Sequence, residues 1–126
     1  MHAPLTLKRI LCVEDNSDVC ELIAAILTDC EVIFAQGAKA AWETYASRKF
    51  SLIILDYHLA DGDGLDLCER IRDKDLQTPI VFITGDDDLA DQSIREAGAQ
   101  RCLRKSNHKF IDELLDLVQS LSVQVA

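Results

Sequence analysis

A doubly wound α/β fold, with a parallel five-stranded sheet and helices on both faces, is predicted by three features of the 126-residue chain. Apolar strand-like runs begin near Ile10, Val32, Leu52, Ile80 and Arg101, roughly 20 to 30 residues apart, as βα units require. Amphipathic helical spacing fills the stretches between and after them. The third run, Ser51-Leu52-Ile53-Ile54-Leu55-Asp56, is continuously apolar and stops at a carboxylate. Such a run reads as a strand buried on both faces whose last residue emerges at a sheet edge.

The first strand ends on Glu14-Asp15, and Asn16 follows as a helix cap, after which Val19, Leu22, Ile23, Ile26, Leu27 and Cys30 recur at helical spacing. A strand near Val32 is followed by a second helix striped by Ala38, Ala41, Trp42 and Tyr45. After Asp56 comes a loop containing Asp61-Gly62-Asp63-Gly64, and the third helix starts near Gly64 with Leu65, Cys68 and Ile71 inward. The fourth strand, Ile80-Val81-Phe82-Ile83, stops at Thr84; its helix is predicted from about Asp87 to Ala97, capped by the acidic run Asp86-Asp87-Asp88 and stopped by Gly98. The fifth strand, Arg101-Cys102-Leu103-Arg104-Lys105, precedes a helix bearing Phe110, Ile111, Leu114, Leu117, Val118 and Leu121. Right-handed crossovers favour the strand order 2-1-3-4-5, the flavodoxin-like arrangement, in which strands one and three adjoin at the switch point. Asp15 and Asp56 then face each other there.

The length suits one domain, and no apolar run approaches the roughly 18 residues of a membrane span. No secretory segment precedes the first strand, so the cytoplasm is the expected location and no membrane partner is expected. The net charge of −9 repels phosphate backbones and argues against direct nucleic-acid binding. Cys12, Cys20, Cys30, Cys68 and Cys102 form an odd set without metal-ligand spacing and fall in apolar-periodic segments, where cysteine packs as a small hydrophobe.

Glu14, Asp15 and Asp56 at one sheet edge raise each other's pKa unless a cation offsets them. Their hard oxygen donors, without His or Cys, select Mg²⁺ or Mn²⁺ over zinc. Lys105 would share that edge, where its ammonium can pair with carboxylate and then with phosphoryl oxygen, and Thr84 adds a hydroxyl.

The ordered motifs Arg9-Ile10-Leu11-Cys12-Val13-Glu14-Asp15, Leu52-Ile53-Ile54-Leu55-Asp56, Val81-Phe82-Ile83-Thr84-Gly85, Ala97-Gly98-Ala99 and Leu103-Arg104-Lys105, with Gly64 eight residues after Asp56, resemble the receiver domains of two-component response regulators. The resemblance implies a receiver domain over residues 9–122, an N-terminal extension over 1–8 and a C-terminal tail over 123–126. It implies that Asp56 is the phosphoacceptor for a phosphohistidine on a sensor histidine kinase or a histidine phosphotransfer protein. Mg²⁺ would be held by Glu14, Asp15, Asp56 and the backbone carbonyl of His58. Thr84 would bond a phosphoryl oxygen, and Gly85 would leave the approach to the phosphoryl group clear. Such a protein is mainly a signalling phosphoacceptor in a phosphorelay, catalysing its own phosphorylation and dephosphorylation. Its readout onto a downstream protein would use the fourth helix, fifth strand and fifth helix, here Leu89, Gln92, Ser93, Arg95, Arg101 and Lys109.

Three departures from the family pattern stand out. Ser106 follows Lys105 where the family usually has proline, so the usual cis peptide bond is not expected. Cys102 occupies the position of a rotating aromatic switch, and Ala60 that of a loop proline. His58 and Asp86 sit at positions that tune phosphate lifetime in the family; His58 reads either as a proton relay or as an exposed loop histidine. A haloacid-dehalogenase-type phosphatase would need Asp where His58 stands. A nucleotide-binding module would be repelled by Glu14-Asp15, and Asp61 to Asp66 fits a calcium loop poorly. A phosphorylation-independent pseudo-receiver remains the main alternative. Whether Ala126 ends a stand-alone receiver or marks one cut from a longer response regulator or hybrid kinase stays open.

Overall fold

The computed structural model describes residues 8–86 and 88–121; residues 1–7, 87 and 122–126 lie outside the described residues, and with them most of the expected N-terminal extension and the C-terminal tail. The five-stranded parallel sheet comprises β1 (Lys8–Val13), β2 (Cys30–Ala35), β3 (Leu52–Asp56), β6 (Ile80–Thr84) and β7 (Arg101–Arg104), in the order β2-β1-β3-β6-β7. Counting only these strands, the order is the expected 2-1-3-4-5. Two short strands, β4 (His58–Leu59) and β5 (Gly62–Asp63), form a separate antiparallel hairpin.

Burial explains why these runs are strands. Leu52, Ile53, Ile54 and Leu55 have no accessible surface, and neither do Ile80 to Ile83. Alternate residues feed two cores. Leu11, Val13, Ile53, Leu55 and Phe82 pack on the side of α2 (Ala38–Ser47), α3 (Gly64–Arg72) and α4 (Asp91–Glu96). Ile10, Cys12, Leu52, Ile54, Val81, Ile83 and Leu103 pack on the side of α1 (Ser17–Ile26) and α5 (Phe110–Ser120). Each such side chain stabilises the fold by about 1.5–3 kcal/mol before entropy is subtracted.

Helix starts follow local chemistry. Asn16 caps α1 as expected, its side chain accepting from the amides of Asp18 and Val19 at 2.9 and 3.2 Å. The helix is shorter than the apolar spacing suggested: Leu27 caps it, Cys30 opens β2, and Leu22 is left 38% exposed. Gly37 at the start of α2 has no side chain to offer, and the carboxylate of Asp61 reaches across to accept from the amides of Ala38 and Lys39. Asp63 accepts from Asp66 N and caps α3. The acidic run after Asp56 thus forms a hairpin whose carboxylates cap the starts of two helices.

The fourth helix also departs from expectation. It starts at Asp91, not near Asp87, and Ala90 provides its cap position without a side-chain hydrogen bond. The backbone groups a longer helix would need are already taken. Asp86 N donates to Thr84 Oγ1, Asp88 N donates to the Asp86 carboxylate, and the carbonyls of Asp86 and Leu89 accept from the Arg104 guanidinium. Asp86 thus caps a turn rather than the helix. Gly98 closes the segment with φ +106, a left-handed conformation suited to glycine.

Gly64 fixes where α3 meets the sheet. A Cβ there would lie 2.5 Å from the backbone oxygen of Asp56 and 2.8 Å from Phe82 Cε2. Neither neighbour is a flexible side-chain end, so Gly64→Ala is expected to destabilise the fold by about 1–3 kcal/mol. Thermal denaturation of the two proteins checks this; an unchanged midpoint would show that the contact relaxes freely.

Candidate functional site

Register brings the predicted residues to one edge. Val13 pairs with Leu55, so Glu14 and Asp15 leave β1 beside the end of β3, where Asp56 sits opposite Ile83. Thr84 pairs with Arg104, the last residue of β7, and Lys105 N donates to Thr84 O at 2.8 Å. The strand ends thus deliver carboxylates, a hydroxyl and an ammonium side by side.

Lys105 Nζ lies 2.6 Å from Glu14 Oε1 and 3.4 Å from Asp56 Oδ2. Glu14 and Thr84 are fully buried, Asp56 is 6% exposed, and Asp15 is exposed at the mouth. Burial pushes the Asp56 carboxyl up, the adjacent Glu14 carboxylate adds to the effect, and Lys105 opposes both, leaving a pKa of about 6. Burial also raises Glu14, but contact with Lys105 and Asp56 outweighs it and holds Glu14 below the usual range. Burial pulls Lys105 down, and the two carboxylates more than reverse this. The pair therefore favours Glu14 as the permanent anion and leaves Asp56 to titrate closer to neutrality.

The donor set fits a hard divalent cation. Glu14, Asp15 and Asp56 each offer a carboxylate oxygen, all within 4.8 Å of one another. Glu14 Oε1 is buried and accepts no directed hydrogen bond, the close Lys105 contact being an ion pair. An all-oxygen set with one exposed member suits an ion that keeps part of its water shell, as Mg²⁺ does.

Thr84 Oγ1 accepts from Asp86 N at 3.0 Å, which leaves its hydroxyl hydrogen free to donate. A Cβ at Gly85 would meet nothing within 4 Å, so the fold itself makes no steric demand for glycine there. The His58 side chain is 69% exposed, and its Nε2 lies 3.2 Å from Asp86 Oδ2, so the residues two beyond Asp56 and two beyond Thr84 meet across the mouth. Asp86 is held below its usual pKa chiefly by that histidine. No cis peptide bond occurs among the described residues, in keeping with Ser106 after Lys105. All five cysteines are free thiols, and Cys20 Sγ lies 3.5 Å from Glu14 O.

Sequence reasoning overlooked Arg104. Its guanidinium donates to Asp86 O and Leu89 O at 2.7 Å each and to Asp91 Oδ1 at 2.8 Å, tying down the segment that follows Thr84. A half-buried arginine next to Lys105, at the end of a strand whose other arginine, Arg101, is exposed, marks it in the structure.

Comparison with known proteins agrees with this architecture. Residues 10–119 match the response regulator receiver domain family. The chain is 36% identical over 102 residues to the response regulator protein PilR of Pseudomonas aeruginosa, covering 78% of this chain but 23% of PilR. It likewise spans 35% of the transcriptional regulatory protein DltR of Streptococcus agalactiae, so it covers about a quarter to a third of these curated relatives. The non-phosphorylated HemR receiver domain from Leptospira biflexa superposes with a TM-score of 0.79 at 32% identity, covering 94% of this chain and 99% of that one. The response regulator TrrA from Thermotoga maritima, solved in complex with Mg²⁺ and BeF, gives a TM-score of 0.79 at 28% identity, covering 90% of this chain and 97% of that one. Among the described residues no helix is long and apolar enough to cross a membrane. Fold, strand-end chemistry and matched length agree: this chain belongs to the response regulator receiver domain family of two-component systems.

Proposed function

We propose that Asp56 is the phosphoacceptor, that Glu14 and Asp15 hold Mg²⁺ with it, and that Thr84 and Lys105 bind the transferred group. The observation behind this reading is Lys105 Nζ, set between the buried carboxylates of Glu14 and Asp56 at the sheet edge where Thr84 ends its strand. Deprotonated Asp56 attacks the phosphorus of a phosphohistidine on a sensor histidine kinase or a histidine phosphotransfer protein. A carboxylate O–P bond forms, the P–N bond breaks, and its electron pair returns to the imidazole. Lys105 offsets carboxylate charge as the anionic donor approaches and then faces a phosphoryl oxygen, while the free hydroxyl hydrogen of Thr84 donates to another. Mg²⁺, or Mn²⁺, supplies further positive charge when held by Glu14, Asp15, Asp56 and the His58 carbonyl. Water attack at phosphorus then breaks the carboxylate O–P bond, releases inorganic phosphate and returns the Asp56 carboxylate.

The receiver unit in this reading spans residues 9–122. Its output face is formed by α4, β7 and α5, where Gln92, Arg95, Arg101 and Lys109 are exposed and Leu89 and Ser93 half-buried. A downstream protein is the partner this face serves.

Intact mass after incubation with Mg²⁺ and acetyl phosphate tests the assignment. One added phosphoryl group, absent from Asp56→Asn and after chelation, is expected. A folded wild-type protein that gains no mass would overturn it in favour of a module that acts by binding alone.

A further inference from the structure

We propose that Arg104 is a positioning residue that couples the phosphorylation site to α4, resting on the reading of Asp56 as phosphoacceptor. Its guanidinium forks between three acceptors on the way from β6 to α4: Nη1 reaches Asp86 O, and Nη2 reaches Leu89 O and Asp91 Oδ1, all at 2.7–2.8 Å. Charge-assisted bonds at this length are among the stronger ones a protein makes, and a planar fork holds its acceptors in fixed relative positions. The Arg104 side chain is 23% exposed while the Asp91 side chain is 64% exposed, so the two carbonyl contacts form the sheltered part of the brace.

Both ends of this brace touch the site. Arg104 is the covalent neighbour of Lys105, whose ammonium bridges Glu14 and Asp56. At the other end, Asp86 N donates to Thr84 Oγ1, and the Asp86 carbonyl is one of the groups Arg104 holds. Any displacement of the Thr84 hydroxyl or of Lys105 toward a phosphoryl group therefore pulls on Asp86 and Leu89, and through Asp91 on the first residue of α4. The helix has room to respond. A surface cleft of about 160 Å³ lies between α4 and β7, lined by Asp91, Ile94, Arg95, Gln100, Arg101 and Cys102, with no aromatic side chain among them. Arginine hydrogen bonding thus does the coupling on a face where no aromatic side chain fills the gap.

Hydrogen exchange of the wild type, Arg104→Ala and Arg104→Lys tests this, each measured before and after phosphorylation by acetyl phosphate with Mg²⁺, with phosphoryl uptake scored separately by mass. In the unphosphorylated state, Arg104→Ala is expected to exchange amides 88–96 about tenfold faster or more, having lost the charged bonds to Asp86 and Leu89. Phosphorylation is expected to change exchange of these amides in the wild type and to leave them unchanged in Arg104→Ala despite normal mass gain. Arg104→Lys should behave like the alanine variant, because a point charge cannot span the three acceptors, and it carries the same test if the alanine variant does not fold. A purely structural role would loosen both states equally and preserve the phosphorylation-dependent difference; that result, or a phosphorylated wild type with no change at 88–96, overturns the proposal. Absence of mass gain in the wild type instead overturns the phosphoacceptor reading, and the coupling with it.

Discussion

Asp56→Asn is expected to abolish phosphoryl uptake and at the same time to make the fold more stable at pH 7, by about 2–3 kcal/mol. The magnitude follows from the rise of the Asp56 pKa from 3.8 to about 6, at about 1.36 kcal/mol per pKa unit. Because the folded-state value lies above the unfolded one, the protonated carboxyl favours folding: its contribution is fully present below pH 3.8 and is lost as pH rises through about 6. The wild type should therefore lose stability between about pH 4 and pH 7 on this account, whereas the asparagine variant should not. Glu14 works with the opposite sign, since its lowered pKa gives stability that is lost only as pH falls below its unfolded value of 4.5 and through its folded one. The window from pH 5 to pH 7 thus separates Asp56 from Glu14, and comparison with the asparagine variant cancels the groups common to both proteins. Urea denaturation of both proteins across that window, in chelator, checks the prediction. An asparagine variant that is less stable at pH 7, or that retains the wild-type pH slope, would refute it. Added Mg²⁺ should stabilise the wild type more than the variant, since binding to the folded state alone shifts the equilibrium by mass action.

The same physics decides how much of this site could be read in the amino-acid sequence. Buried parallel strands are unmistakable, because an apolar run that is covered on both faces shows no alternation, and Leu52 to Asp56 and Ile80 to Thr84 have the predicted limits. Crossover handedness limits such a chain to a doubly wound sheet, of which the observed order is a common solution, and the register then sets Glu14, Asp56, Thr84 and Lys105 side by side. Contacts between side chains and remote backbone were not legible in the same way. Nothing in the spacing of Asp61 says that its carboxylate fills the missing cap of α2 more than twenty residues earlier in the chain. Helical periodicity likewise overran at α1. Cys30 and Leu22 matched an apolar stripe, yet Cys30 pairs with Lys8 in the sheet and Leu22 faces outward. The acidic run after Thr84 looked like a helix start because negative charge near a helix N-terminus is common; here Arg104, distant in sequence, had already claimed the carbonyls.

His58 shows a subtler limit. Its exposed side chain fits the reading of a loop histidine, and the sequence offered no reason to pair it with Asp86, nearly thirty residues on. That the two meet is a consequence of β3 and β6 being neighbours, which brings the loops that follow them side by side. Chemistry at strand ends is therefore readable one strand at a time, whereas contacts between the loops that follow need the coordinates.

Lys105→Met is the reverse experiment, removing the cation while leaving both carboxylates. Met keeps the apolar stem, so the loss is chiefly of the charge that lies 2.6 Å from Glu14 and 3.4 Å from Asp56. Breaking a buried ion pair from one side typically costs about 3–5 kcal/mol, because the remaining charge is neither solvated nor paired. Asp56 supplies a partial escape by taking up a proton, which should raise its pKa above the wild-type value of about 6. The destabilisation should accordingly be larger at pH 8, where protonation is unfavourable, than at pH 5, where it is nearly free. Mg²⁺ should recover more stability in this variant than in the wild type, since the variant loses the ammonium that pairs with Glu14 and Asp56. Phosphoryl uptake should slow by about 10²–10³-fold, the usual loss when a single preorganised charge at a reacting centre is removed. Urea denaturation at both pH values with and without Mg²⁺, alongside the time course of mass gain, measures all three effects. Equal destabilisation at pH 5 and pH 8 would show that Lys105 acts by packing rather than by holding the charge of Asp56 and Glu14. Uptake at the wild-type rate would remove it from the phosphoryl site.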